Sequence, residues 1–198
     1  MKYVKMLGLA AVTAMALMAF VGAGTASATT LTGEGGAVLG SGSSIHAVLD
    51  PGTGPAKLTT AFKNIECEES TVSGKTTNET GASVSGNVET LTFGKCNCEV
   101  KVISKGTLSI TYTSGSNGSL SSNGAEVTAQ CSTIFGNVHC IYVTENTGLG
   151  TLTGGTTATM DIESANIPRL STSALCAETA KWDAKYSVDS PDTLKVQN

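Results

Sequence analysis

The stretch NVETLTFGKCNCEVKVISKGTLSITYT, residues 87–113, decides the fold. Its apolar and polar residues alternate with a period of two, the pattern of strands with one buried face rather than of a helix. In residues 98–102, Cys98, Val100 and Val102 fall on one side and Glu99 and Lys101 on the other. In residues 107–113, Leu108, Ile110 and Tyr112 alternate with Thr and Ser. The stretch reads as three β segments, with breaks at Gly94-Lys95 and at Lys105-Gly106. The middle segment begins with Cys96 and Cys98, which two residues apart in an extended chain project from one face.

The same period continues outward. Ala125, Val127, Ala129 and Cys131 form one inward set, and Ala158, Met160 and Ile162 another. Near the C-terminus Trp182, Ala184, Tyr186 and Val188 alternate with Asp183, Lys185, Ser187 and Asp189. A strand carrying Cys67 falls within residues 57–71, after a strong Pro/Gly turn at residues 50–55. Asn117-Gly118 and Asn123-Gly124 are favoured hairpin-turn dipeptides, because both residues tolerate positive φ. No helical stripe follows Ala28; a single helical turn fits residues 174–180. About ten short strands with turns between them predict an all-β chain, a single antiparallel β-sandwich or barrel-like domain with disulfides.

The first residues read as an address. Lys2 and Lys5 precede the apolar run 6–21, and small residues follow, ending in Ala26-Ser27-Ala28. A basic start, an apolar middle and an A-x-A end form a secretory signal peptide over residues 1–28, cleaved after Ala28. A Gly-rich leading segment with one or two strands then spans 29–56, and the disulfide-stapled β-sandwich domain 57–198. Cleavage leaves about 170 residues, enough to bury a core. Loss of Lys2 and Lys5 takes the net charge from −4 to −6, which disfavours nucleic acid and anionic membrane as partners.

Six cysteines in an exported chain read as a disulfide framework with fifteen possible connectivities. Cys98 and Cys131 share inward registers and pair across the core; Cys67 with Cys96 and Cys140 with Cys176 complete the preferred set. Each link is worth roughly 3–4 kcal/mol on the chain-entropy account. The competing arrangement joins Cys131 to Cys140 and leaves Cys98 for Cys176. Zinc-type CxxC or HxxxH spacings do not occur, so neither metal nor cofactor is expected.

Catalytic motifs are missing. His46 and His139 are the two histidines, and neither sits in a recognisable pattern; there is no GxSxG elbow and no HExxH. Gly74-Lys75-Thr76 lacks the leading glycine of a phosphate loop, since position 69 is Glu. The carboxylates Glu66, Glu68 and Glu69, or Asp161 and Glu163, read as solvated strand faces, without a calcium loop. Asn78-Glu79-Thr80 and Asn117-Gly118-Ser119 match glycosylation sequons. Trp182 and Tyr186 fall in inward registers, which counts against an aromatic sugar platform.

Residues 118–127 (GSLSSNGAEV), 150–155 (GTLTGG), 158–162 with Ile167-Pro168-Arg169, and 182–191 (WDAKYSVDSP) together resemble a group of uncharacterised small secreted all-β proteins of actinobacteria. The resemblance covers most of residues 65–196. It implies an extracellular β domain and supplies no catalytic residues. It also implies that Cys67, Cys96, Cys140 and Cys176 are thiols common to the group, with Cys98 and Cys131 an added pair.

The sequence thus points to a secreted extracellular protein of binding or structural, envelope-associated type. Its partner would be a cell-wall component, a polysaccharide or a protein. The alternative is an extracellular inhibitor or antagonist of a secreted protein, working through a rigid loop at residues 132–139. A secreted hydrolase using His46 or His139 with a loop Ser and Asp comes third. Intact mass of the exported protein, alkylated without reductant, is expected to show a chain beginning at Thr29, six hydrogens light and carrying no alkyl group. Alkylated Cys96 or Cys98 would contradict the framework.

Overall fold

A computed structural model of the chain describes residues 28–134, 136–171 and 174–198. The expected leader therefore lies outside the described residues, apart from Ala28. The first strands are β1 (Thr29–Thr32), β2 (Ser44–Leu49), β3 (Ala56–Thr59), β4 (Asn64–Thr76) and the short β5 (Thr80–Gly81). The long hairpins of the middle follow as β6 (Val84–Cys96), β7 (Glu99–Ser114) and β8 (Asn117–Thr133). The chain finishes with β9 (Gly136–Val143), β10 (Thr147–Thr153), β11 (Thr159–Pro168), β12 (Thr179–Ser190) and β13 (Lys195–Gln197). All recorded strand pairs are antiparallel.

Of the two architectures the sequence allows, the chain adopts the barrel. Eight staves run up and down in sequence order, and the last returns to the first. Two staves are broken in the middle. β2 and β3 pair successive parts of β4 on one side and β12 on the other. β9 and β10 likewise follow one another along β8, and β11 faces β10. Closure removes the free edges that a two-sheet sandwich would leave.

The inward residues are apolar: Leu120, Met160, Ile162, Ala184, Tyr186 and Val188 are all buried. Outward positions such as Glu99, Lys101, Thr111, Ser119 and Lys181 are exposed. That is the reverse of a bilayer-spanning barrel, whose outer band is apolar. One end is capped by a small sheet in which β1 lies between β13 and β5. It lowers Leu31, Leu194 and Val196 into the interior. The Gly-rich residues 29–56 thus supply the central strand of the cap and the stave β2, both paired with strands from the rest of the chain.

Several local expectations are corrected. Residues 87–113 form two strands, because the real turn is at Asn97, where the side chain accepts a hydrogen bond from Glu66 N and donates to Asn64 O. Cys96 therefore ends β6, and Cys98 stands before β7 rather than on the same strand. At Gly106 β7 does not break. Its φ of 64° bends the strand instead, and a Cβ there would strike the backbone of Asn123 and Ala125. The hairpin turn expected at Asn117-Gly118 falls at Gly115-Ser116, two residues earlier, with Asn117 already paired to Ser114. Asn123-Gly124 makes no turn; β8 runs through it, and the φ of 73° at Gly124 bends the strand where its pairing passes from β10 to β9. At residues 174–180 the described residues hold a turn and the start of β12, not a helix.

The bonds Cys67–Cys96, Cys98–Cys131 and Cys140–Cys176 are formed. The first two join neighbouring parts of the wall, and the third ties β9 to the connection between β11 and β12. Between β6 and β7, however, the wall opens. They pair only from Val84–Asn87 to Thr107–Ile110; among the described residues no pairing joins 88–96 to 99–106. The cause is local. β6 bulges at Glu89, between the pairs Val88–Gly74 and Thr90–Ser73, and β7 bends at Gly106 on the same level. Bulges increase strand twist and re-aim an edge. The result is a window, closed at its far end by Cys96-Asn97-Cys98. Lys105 crosses its near end, donating from Nζ to the carbonyl of Glu89 at 2.6 Å.

Amide exchange tests the window. Alternate amides of 88–96 and 99–105, those that face across it, are expected to exchange fast, while those of Val84–Asn87 stay protected. Uniform protection along the hairpin would mean a closed wall.

Candidate ligand-binding lumen

The window gives onto the interior. Leu91 and Phe93 on one lip, and Val100 and Val102 on the other, are half-buried. Ile103 is 59% exposed, an apolar residue at a register shift of β7 against β8. Behind these lips the lumen holds three chambers end to end. The first, about 80 Å³, lies near the disulfides and is bordered by Leu58, Phe93, Val100, Tyr142 and Trp182. The middle one, about 40 Å³, shares Leu91, Ala125 and Trp182 with the first. The third, about 60 Å³, shares Val88, Leu108 and Met160 with the middle one and ends on Leu31 of the cap. Trp182, which borders both of the first two chambers, stands edge-on to Phe93 of the first with ring centroids 6.3 Å apart.

Polar groups inside are few, and nearly all are paired. Tyr186 Oη lies 2.8 Å from Ser70 Oγ, which donates in turn to the Thr92 carbonyl. Ser122 and Thr144 bond each other at 3.0 Å, and Thr144 Oγ1 also accepts from Ala125 N. Tyr142 differs. It is 2% exposed, and among the described residues its hydroxyl has no hydrogen-bond partner. The other such atom, Thr32 Oγ1, belongs to the cap. Arg169 is bridged directly to Tyr142 across the wall, which puts their side chains on one face. It donates from Nη1 to the Cys176 carbonyl.

The residues singled out in the sequence are placed as follows. The six cysteines all lie in disulfides. His46 sits on the outer face and contacts Asp189 through Nδ1. Ser73 is its direct cross-strand partner. His139 is exposed on β9, in the other half of the barrel. Glu69 is ion-paired with Lys95, and Asp161 with Lys185 at 3.1 Å. Gly74-Lys75-Thr76 is part of β4, not a loop. The sequon Asn78 spends its amide on the backbone of Ser83 and Ser85. The loop expected at 132–139 is two strand ends and a short tip, since Ser132 pairs with Asn137 and Thr133 with Gly136. Among the described residues no three His, Cys, Asp or Glu side chains gather as metal ligands. Tyr142, Arg169 and Lys105 were not foreseen. The alternation Val138, Cys140, Tyr142 is a readable inward register, but a missing hydrogen bond has no sequence signature.

Comparison with protein-family models, curated proteins and solved structures finds no match. The fold and lumen define the class instead: an up-and-down eight-stranded barrel with an apolar interior, polar outside and open through one side of its wall.

Burial pushes the Tyr186 phenol up to about 12, with the Ser70 hydrogen bond pulling the other way. Burial also raises Tyr142, and the nearby Arg169 charge lowers it. A raised folded pKa favours the neutral phenol, so its stability is whole below the unfolded value near 10 and is lost as pH climbs toward 12. Urea unfolding at stepped pH is expected to show a plateau to about pH 9.5, then a loss of roughly 1.4 kcal/mol per pH unit from Tyr186. Tyr186→Phe should flatten that slope.

Proposed function

We propose that the protein is an exported binding protein that holds one small apolar molecule inside the barrel. The carrying observation is the β6–β7 window, lined by half-buried apolar side chains and leading to chambers with scarcely any polar lining. An eight-stranded barrel is wide enough to be filled by side chains or to hold one small ligand, and a concave apolar site with few polar groups is the usual form of a small-molecule pocket. The three disulfides fit an oxidising compartment, and the basic, apolar and A-x-A pattern of residues 1–28 supports export.

A second reading, an antagonist of another secreted protein, rests on Ile134. It is 94% exposed at the β8–β9 tip and offers a single apolar anchor.

Titration with N-phenyl-1-naphthylamine, which brightens in apolar surroundings, tests the first reading. Wild type is expected to bind one probe per chain. Ala125→Phe, which fills the junction of the first two chambers, should weaken that binding by about tenfold or more while the disulfides stay intact. Equal binding by both proteins, or none by wild type, refutes it.

A further inference from the structure

We propose that the occupant is a single-chain amphiphile of the long-chain carboxylic acid class, its chain along the lumen and its carboxylate met by the Tyr142 hydroxyl and Arg169. This rests on the lumen reading and adds the chemistry of the head and the shape of the tail.

The head follows from Tyr142. Buried polar groups in folded proteins are paired, and each exception calls for a physical account. Within this lumen the fold pairs Tyr186 through Ser70, and Ser122 through Thr144. It leaves unpaired a phenol that borders the largest of the three apolar chambers. Phenylalanine would fill the same space without an orphaned hydroxyl. A water is a poor substitute. The first chamber, at about 80 Å³, exceeds the ~10–15 Å³ that one water needs, but a held water also needs two to four polar partners. The neighbouring hydroxyl, Thr144, is already committed to Ser122 and Ala125 N. An oxygen attached to an apolar chain satisfies the phenol and the chamber together.

The charge follows from Arg169. It faces Tyr142 across the bridge, and its position is fixed from two sides. Leu170 N donates to the Ile141 carbonyl at 2.8 Å, and Cys140–Cys176 pins the connection that carries the Arg169 hydrogen-bond acceptor. A guanidinium on the same face of the wall as the phenol favours an anionic head over a neutral one. The tail follows from the partitions. Leu91 and Trp182 narrow the lumen between the first and middle chambers, so a flexible chain threads all three chambers, whereas a ring system such as the naphthylamine probe is confined to the first.

Displacement of bound N-phenyl-1-naphthylamine by dodecanoic acid, 1-dodecanol and methyl dodecanoate tests this. In wild type the acid should compete about tenfold better than the alcohol or the ester. In Tyr142→Phe that preference, read as the ratio of acid to alcohol competition within the variant itself, should fall to about twofold or less. The ligand-free variant should also melt at a higher temperature than wild type, because the orphaned hydroxyl is gone; a tyrosine that served only packing would leave acid selectivity untouched. If the probe binds but the acid shows no advantage, or keeps it in Tyr142→Phe, the head assignment is wrong and the lumen reading stands. If the probe does not bind wild type, both fall.

Discussion

Every stave of a closed β wall needs a hydrogen-bonded neighbour on both sides. Among the described residues this barrel departs from that requirement most between β6 and β7, and again between β9 and β11, which share only the Tyr142–Arg169 bridge. From Val88 to Cys96 and from Glu99 to Gly106, β6 and β7 keep only their other neighbours, β4 and β8. An unpaired strand edge is ordinarily a liability, prone to slip or to pair with another chain. Here Cys67–Cys96 ties one lip to β4, and Cys98–Cys131 ties the other to β8. The turn at Asn97 joins the lips covalently, and Lys105 holds them at the opposite corner. The two disulfides make an opening in the wall compatible with a fixed register. Without that opening the lumen would be a sealed core.

Conventional packing would fill such a core to crystal-like density. Instead, side chains of moderate size, Val100, Val127 and Ala125, face space beside Trp182 and Phe93. The cap end is tighter in character, with Leu31, Leu194 and Val196 almost wholly removed from solvent. The barrel is therefore polarised along its axis. One end is stoppered by apolar side chains, and the other carries the disulfides, Tyr142 and Arg169. Nothing on the outer surface rivals this gradient, because the carboxylates there are spread along strands and several are matched by lysines.

Much of this architecture was legible as alternation. Trp182 to Val188 and Ala125 to Cys131 announced their inward faces, because a half-buried strand has period two and no other element does. The choice between sandwich and barrel was not legible, since it depends on whether β8 also reaches β10, a pairing between residues whose local pattern is the same in either case. The misplaced turns have a shared cause. Asn-Gly and Lys-Gly permit positive φ, but a strand can spend that freedom on a bend as readily as on a reversal, and at Gly106 and Gly124 it does. The site was the least legible part. His46 and the carboxylates drew notice because they titrate, whereas the lumen is made from residues whose importance is positional.

The cap has one further property. β1 and β13 pair antiparallel, with Thr30 opposite Gln197, so the two termini of the folded domain emerge side by side at the stoppered end. Thr29 is itself locked in place, accepting a hydrogen bond from Tyr112 N and donating to the Ala82 carbonyl. A load applied between the chain ends therefore acts on this pair in the unzipping direction, where hydrogen bonds yield one after another instead of sharing the force. The disulfides all lie away from that line. Pulled by its ends, the molecule would shed its stopper first and leave the stapled remainder of the wall standing, a mechanical weakness confined to the one part of the fold that seals the lumen.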